Sequence, residues 1–208
     1  MTIERTLQKL QQFLDAGEAE KAASTIAAAH VVFSENPRSL LPILNELDRQ
    51  RNVAALQPIL DKLQELNLLP LESAIFDMRT RFRARDHLNA LQAVDRILTV
   101  SGRHTEALRT GGRIGNLMRD DNVALRYWER LGRAAPNDPE AALQAARIHF
   151  RREQFVQAID WAKQAAKGEG DATEALKIAV SASLETGWPE DCDPLLTRMF
   201  AVDRTRAL

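Results

Sequence analysis

The sequence predicts an all-α fold of stacked helix pairs, and three observations carry the prediction. A small residue followed by an apolar one recurs with a period of about 34 residues, at Ala90-Leu91, Ala124-Leu125 and Ala158-Ile159, with the small Cys192 one step further on. Four places after each comes an apolar residue, at Val94, Trp128, Ala162 and Leu196, as one face of a helix requires. Regular apolar–polar alternation is scarce and glycines number 9, so no strand pattern competes. Two further matches, Ala22-Ala23 and the slightly displaced Ala55-Leu56, lead to Ile26 and Ile59 and carry the period back to the start.

The period divides residues 1–208 into one array of units at about 3–36, 37–70, 71–104, 105–138, 139–172 and 173–206. An acid recurs near the unit starts, at Glu4, Glu72, Glu106, Glu140 and Glu174, where it meets the positive end of a helix dipole. Gly102, Pro136 and Gly170 close units as helix stops do. The second unit is the least regular, because Pro42 and Pro58 are expected to interrupt its helices. In the fourth, Gly111, Gly112 and Gly115 lie on one helix and permit another to approach closely.

The fifth unit is the clearest. In "NDPEAALQAARIHFRREQFVQAIDWAKQAA", Asp138-Pro139-Glu140 is a capping carboxylate, a proline at the first helical position and a first-turn acid. Arg151-Arg152-Glu153-Gln154 breaks the run before a second amphipathic helix from Phe155. The alanines mark where the two helices of a unit cross.

The pattern resembles the tetratricopeptide repeat. That family has small residues near the eighth and twentieth places, an aromatic near the seventeenth and a proline near the thirty-second. Ala146, Phe155 and Ala158 match it in 139–172, and Gly112, Ala124 and Pro136 in 105–138. The family's tryptophan near the fourth place is missing throughout. The resemblance implies two antiparallel helices of about 12 to 14 residues per unit, stacked into a right-handed α-solenoid whose concave face is lined by the first helices.

Composition narrows the function. With 45% hydrophobic and 27% charged residues the chain can bury a core and stay in solution, and a net charge of -1 selects no partner class. No window approaches 18 continuous apolar residues, so no membrane span is expected. The opening "MTIERTLQKLQQFL" lacks the apolar core of a signal peptide, and one cysteine rules out an internal disulfide framework. The expectation is a cytoplasmic protein.

Catalysis finds little support. His30, His87, His104 and His149 lack the spacing of a helical metal site, and Cys192 stands at a packing position. "GRHTEALRTGGRIGN" lacks the Gly-Lys-Ser/Thr ending of a phosphate loop and no strand precedes it. No catalytic residue, metal or cofactor is therefore expected.

Places 5, 9 and 13 of the first helices form one stripe, and it is rich in arginine. It carries Arg79 and Arg83 in the third unit, Arg109 and Arg113 with Asn116 adjacent in the fourth, Arg147 and Arg151 in the fifth, and Lys177 in the sixth. Arginine's planar fork pairs bidentately with carboxylates, so the expected ligand is an acidic peptide or protein segment in an arginine-lined groove. The contrasting expectation is a solvated basic face balanced by the helix-start acids. A second functional expectation is the amino-terminal, substrate-recruiting part of a larger enzyme, such as a glycosyl- or sulfotransferase. A third is RNA binding, which 5% aromatic content does not favour, since few stacking platforms are available. Near the carboxyl end Leu195 and Phe200 have too little chain after them for cover. A second copy of the chain or a downstream domain is expected to pack on them.

Overall fold

The computed structural model describes residues 2–167, 172–187, 194, 196 and 197. Cys192, Leu195, Phe200 and the helix stop at Gly170 lie outside them, as do the expectations attached to them. Among the described residues there are twelve α-helices and no strand. They fall into two compact units, Met1–Gly102 and Arg103–Leu208.

The first unit holds α1 (Ile3–Asp15), α2 (Ala19–Ala28), α3 (His30–Glu35), a 3-10 turn (Pro37–Leu40), α4 (Leu41–Arg49), α5 (Val53–Glu65), α6 (Pro70–Arg83) and α7 (His87–Val100). The second holds α8 (Thr105–Leu117), α9 (Asp121–Ala134), α10 (Pro139–Arg151), α11 (Phe155–Ala165) and α12 (Thr173–Glu185). Pairs α1/α2, α4/α5 and α6/α7 pack in the first unit, with α2 and α6 both lying against α5. Pairs α8/α9 and α10/α11 pack in the second, with α10 against α9 and α12 against α11.

The second helices start at Ala19, Val53, His87, Asp121 and Phe155, each one full period after the last. Three of them share a cap at the same register. The side chains of Asn52, Asp86 and Asp120 accept from backbone N–H groups of the first turn, at 3.1, 3.4 and 3.0 Å respectively. The helix start at Asp138-Pro139-Glu140 forms as expected, with Asp138 Oδ1 accepting from Ala141 N at 3.1 Å.

The small residues behave as helix crossings should. Ala22, Ala90, Ala124 and Ala158 are fully buried. In α8 a side chain at Gly115 would strike the backbone of Ala124, and one at Gly112 would strike the Trp128 indole. Close approach, not turn geometry, requires those glycines.

Two expectations need correction. Pro58 does not interrupt a helix: α5 continues through it from Val53 to Glu65. The apolar face of Leu56, Ile59, Leu60 and Leu63 is buried on both sides of the proline, so packing outweighs the lost backbone hydrogen bond. Pro42, by contrast, sits in the first turn of α4, directly after the 3-10 turn. The second helix of the first repeat is also not one rod, since the chain passes from α2 to α3 at Ala29.

Candidate functional site

The arginine stripe is present, and carboxylates interleave it. In the first unit Arg79 Nη1 lies 3.2 Å from Asp48 Oδ2, and Arg83 pairs with the other oxygen of the same carboxylate. Arg83 also donates to the Asp48 carbonyl at 3.3 Å. In the second unit Arg109 pairs with Asp138 and lies 3.3 Å from Glu140. Arg113 makes a bidentate pair with Glu140, at 3.0 and 2.9 Å. Arg147 Nε donates to Glu174 at 2.8 Å, and Arg151 Nε donates to Asp121 at 3.2 Å. Two of the recurrent helix-start acids thus play a second part, since Glu140 and Glu174 each hold an arginine from the preceding first helix. Lys177 is exposed on α12.

These bridges tie neighbouring helix pairs together; those of Arg113, Arg147 and Arg151 cross exposed surface, where an ion pair is worth about 0–1 kcal/mol, while Asp48 and Asp138 are nearly covered. They set the orientation of the guanidinium groups more than they stabilise the fold. Asn116 continues the row, its amide donating to Gln144 Oε1 at 3.2 Å.

Within the second unit the row borders a cleft of about 450 Å³, lined by Asn116, Arg119, Asp121, Gln144, Arg147 and Arg151. Five of these come from helices. The sixth, Arg119, was outside the sequence expectation, because it stands in the turn after α8, off the helical stripe. Its backbone is left-handed, φ 55°, and its exposed side chain has no ion pair with any described residue. The cleft therefore offers two amides, two paired guanidiniums, one carboxylate (Asp121, held by Arg151) and one unpaired cation.

Three of the four histidines find hydrogen-bond partners within the structure. His149 is nearly buried, with Nε2 3.0 Å from Glu129 and Nδ1 2.8 Å from Gln154. His104 Nδ1 accepts from Ala107 N at 3.2 Å and caps α8. His30 Nε2 faces the Ser34 hydroxyl at 3.2 Å, and His87 is the first residue of α7. Among the described residues no group of three or more His, Cys, Asp or Glu is placed to hold a metal ion. No described helix is long and apolar enough to cross a membrane.

No protein-family model matches the sequence, and no curated protein does. Solved structures do match. A crystal structure of MamA is 11% identical, with a TM-score of 0.65 over 80% of this chain and 91% of that one. YrrB, described as a TPR protein with an unusual peptide-binding site, is 16% identical, with a TM-score of 0.63 over 83% of this chain and 91% of its own. At such identities the likeness speaks for architecture alone. That architecture, antiparallel helix pairs recurring at one fixed period, is the tetratricopeptide-repeat fold.

Proposed function

We propose that the chain is a protein-interaction module that holds an acidic peptide segment in the cleft between α8 and α10, without chemistry of its own. The observation that carries this reading is the unpaired Arg119 beside the Asn116–Gln144 amide pair and the guanidiniums of Arg147 and Arg151. Amides satisfy the backbone groups of an extended peptide, while Arg119 takes a carboxylate bidentately. Arg109, Arg113, Arg147 and Arg151 then contribute by exchange. Each releases an intramolecular carboxylate and accepts one from the ligand, a trade that costs least for Arg113, Arg147 and Arg151, whose pairs are exposed. The likeness to YrrB, which is described as having a peptide-binding site, supports the same class of function. The low aromatic content speaks against nucleic acid.

The test is a titration of the full chain with a glutamate-rich peptide, followed by amide NMR. Shifts at Asn116, Arg119 and Gln144 are expected, weakening as salt rises. They should vanish in Asn116→Ala/Arg119→Gly with helix content unchanged. An acidic peptide that leaves those amides unmoved overturns the reading.

A further inference from the structure

The left-handed residue after α8 is one of a series. Gly17, Arg51, Arg85, Arg119, Glu153 and Gly187 all have positive φ, and each lies one repeat period after the last. Every one closes the first helix of its pair. Arg51 N–H donates to the Asp48 carbonyl at 3.0 Å, and Asn52 N–H reaches back to Leu47 at 3.0 Å. Arg85 and Asp86 repeat this on Phe82 and Arg81, at 3.1 and 2.9 Å. This is the helix ending that favours glycine, since a Cβ strains the left-handed backbone. Glycine stands there twice, yet arginine stands there three times. After α4 and α6 the helix dipole does not demand it, because Arg49 and Arg83 already place a cation in their last turns. Strain kept where a relaxed residue would serve points to a role outside folding.

Within the first unit two of these arginines share an edge. Asp48, near the end of α4, is gripped by Arg79 and Arg83 near the end of α6, so the carboxyl ends of the two helices lie together. Arg51 follows Asp48 by three residues and Arg85 follows Arg83 by two. Both are exposed, and neither forms an ion pair with a described residue. Residues 46–52 and 79–86 together carry six arginines (49, 51, 79, 81, 83 and 85) against three carboxylates (Glu46, Asp48 and Asp86), with Asp61 and the buried Asp77 also facing Arg81.

We infer that this edge, with Arg51 and Arg85 as its two unpaired forks, is a docking surface for an acidic segment of a partner protein, separate from the cleft between α8 and α10. Glu46, Asp48 and Asp86 repel a phosphate backbone and a glutamate run alike, so the choice of a protein partner rests on the stacking surface. Phe82, the aromatic of these stretches, is half-buried with its ring 6.2 Å from that of His87, so no stacking platform is offered to bases.

The experiment uses the full chain carrying Asn116→Ala and Arg119→Gly, the pair that silences the cleft, so that the two sites can fail separately. Fluorescein-labelled octaglutamate is titrated at low salt and followed by anisotropy, with a labelled uridine-tract RNA in a parallel arm. Adding Arg51→Gly and Arg85→Gly should weaken octaglutamate binding about tenfold, as loss of two exposed charge contacts implies. Glycine suits the left-handed turn, so the same variant should melt no lower than its parent. Octaglutamate affinity that is absent in the parent, or unchanged in the variant, overturns the inference. Tighter RNA binding that the two glycines abolish overturns the assignment to a protein partner.

Discussion

Gly115→Ala is the sharpest test of how α8 and α9 pack. A Cβ at residue 115 would lie 2.4 Å from the backbone N of Ala124, 2.5 Å from its Cα and 2.9 Å from its Cβ. Those atoms belong to the helix crossing itself, and no rotamer change moves them away. The helices would have to part by about 1 Å in an interior packed like a crystal. Overpacking of this kind costs about 1–3 kcal/mol, and rigid backbone partners place it at the upper end. Replacing glycine by alanine inside a helix returns about 1 kcal/mol of propensity, leaving a net loss of about 2 kcal/mol. For a chain of this length that lowers Tm by roughly 4–8 °C. Gly111→Ala is the internal comparison. There the clash is with the buried Tyr127 ring, at 2.7–2.9 Å, a side chain rather than the backbone of the facing helix, so its loss should be somewhat the smaller. Thermal melts by far-UV circular dichroism read both variants. A Gly115→Ala chain melting at or above the parent would refute the crossing described here.

Three further outcomes are expected. Asp77 is fully buried, accepting from Arg81 at 2.7 Å and Gln57 at 3.2 Å and pairing with Arg96, so Asp77→Ala should cost about 2–3 kcal/mol by urea denaturation. The cost stays below that of a wholly buried pair because both arginines reach solvent and Arg81 keeps Asp61 and Asp86 nearby. A double-mutant cycle on Arg113 and Glu140 should give a coupling of about 0.5–1 kcal/mol that shrinks in high salt, because the pair is bidentate but exposed. Hydrogen bonds from the Asn89 side chain and backbone hold the Asp86 carboxyl below the ordinary carboxylate range, with Arg81 adding to them and burial opposing. A carboxyl lowered in the folded state contributes stability that is full above its unfolded value, about 3.9, and is lost as pH falls through the folded one. Asp86→Asn keeps a capping side chain, so stability measured from neutral to acid pH should fall less steeply than in the parent.

Much of the fold was legible in the sequence because its signal is local. Alanine and glycine at a fixed spacing mark crossings within one hairpin, and Ala90, Ala124 and Ala158 are buried there. Pro58 misled because a proline's cost is local, whereas the packing that outweighs it involves Leu56 and Leu60 against neighbouring helices. The arginine stripe was legible as a stripe. Its neutralisation was not, because Arg113–Glu140 and Arg147–Glu174 join residues 27 apart, a distance set by how helix pairs stack. Arg51, Arg85 and Arg119 stand one period apart in plain view, yet they lie between helices. Only the sign of φ distinguishes their turn from any polar loop.

The pairing of Gly112 with Trp128 has a consequence for how such chains can be recombined. The equivalent buried positions are Leu10 and Ile26 in the first repeat, Leu44 and Leu60 in the second, Met78 and Val94 in the third, and Ala146 and Ala162 in the fifth. The first two repeats fill these positions alike and the others do not, and the fourth has gone furthest by giving nearly all the volume to one side. Helices from repeats filled differently are therefore not interchangeable parts. Grafting α11 in place of α9 would set alanine against glycine and open a void the size of an indole. Grafting α10 in place of α8 would drive the Ala146 methyl into the tryptophan. The smallest unit that can be transplanted is the hairpin, and in lineages descending from this chain the glycine and the tryptophan should be gained and lost together.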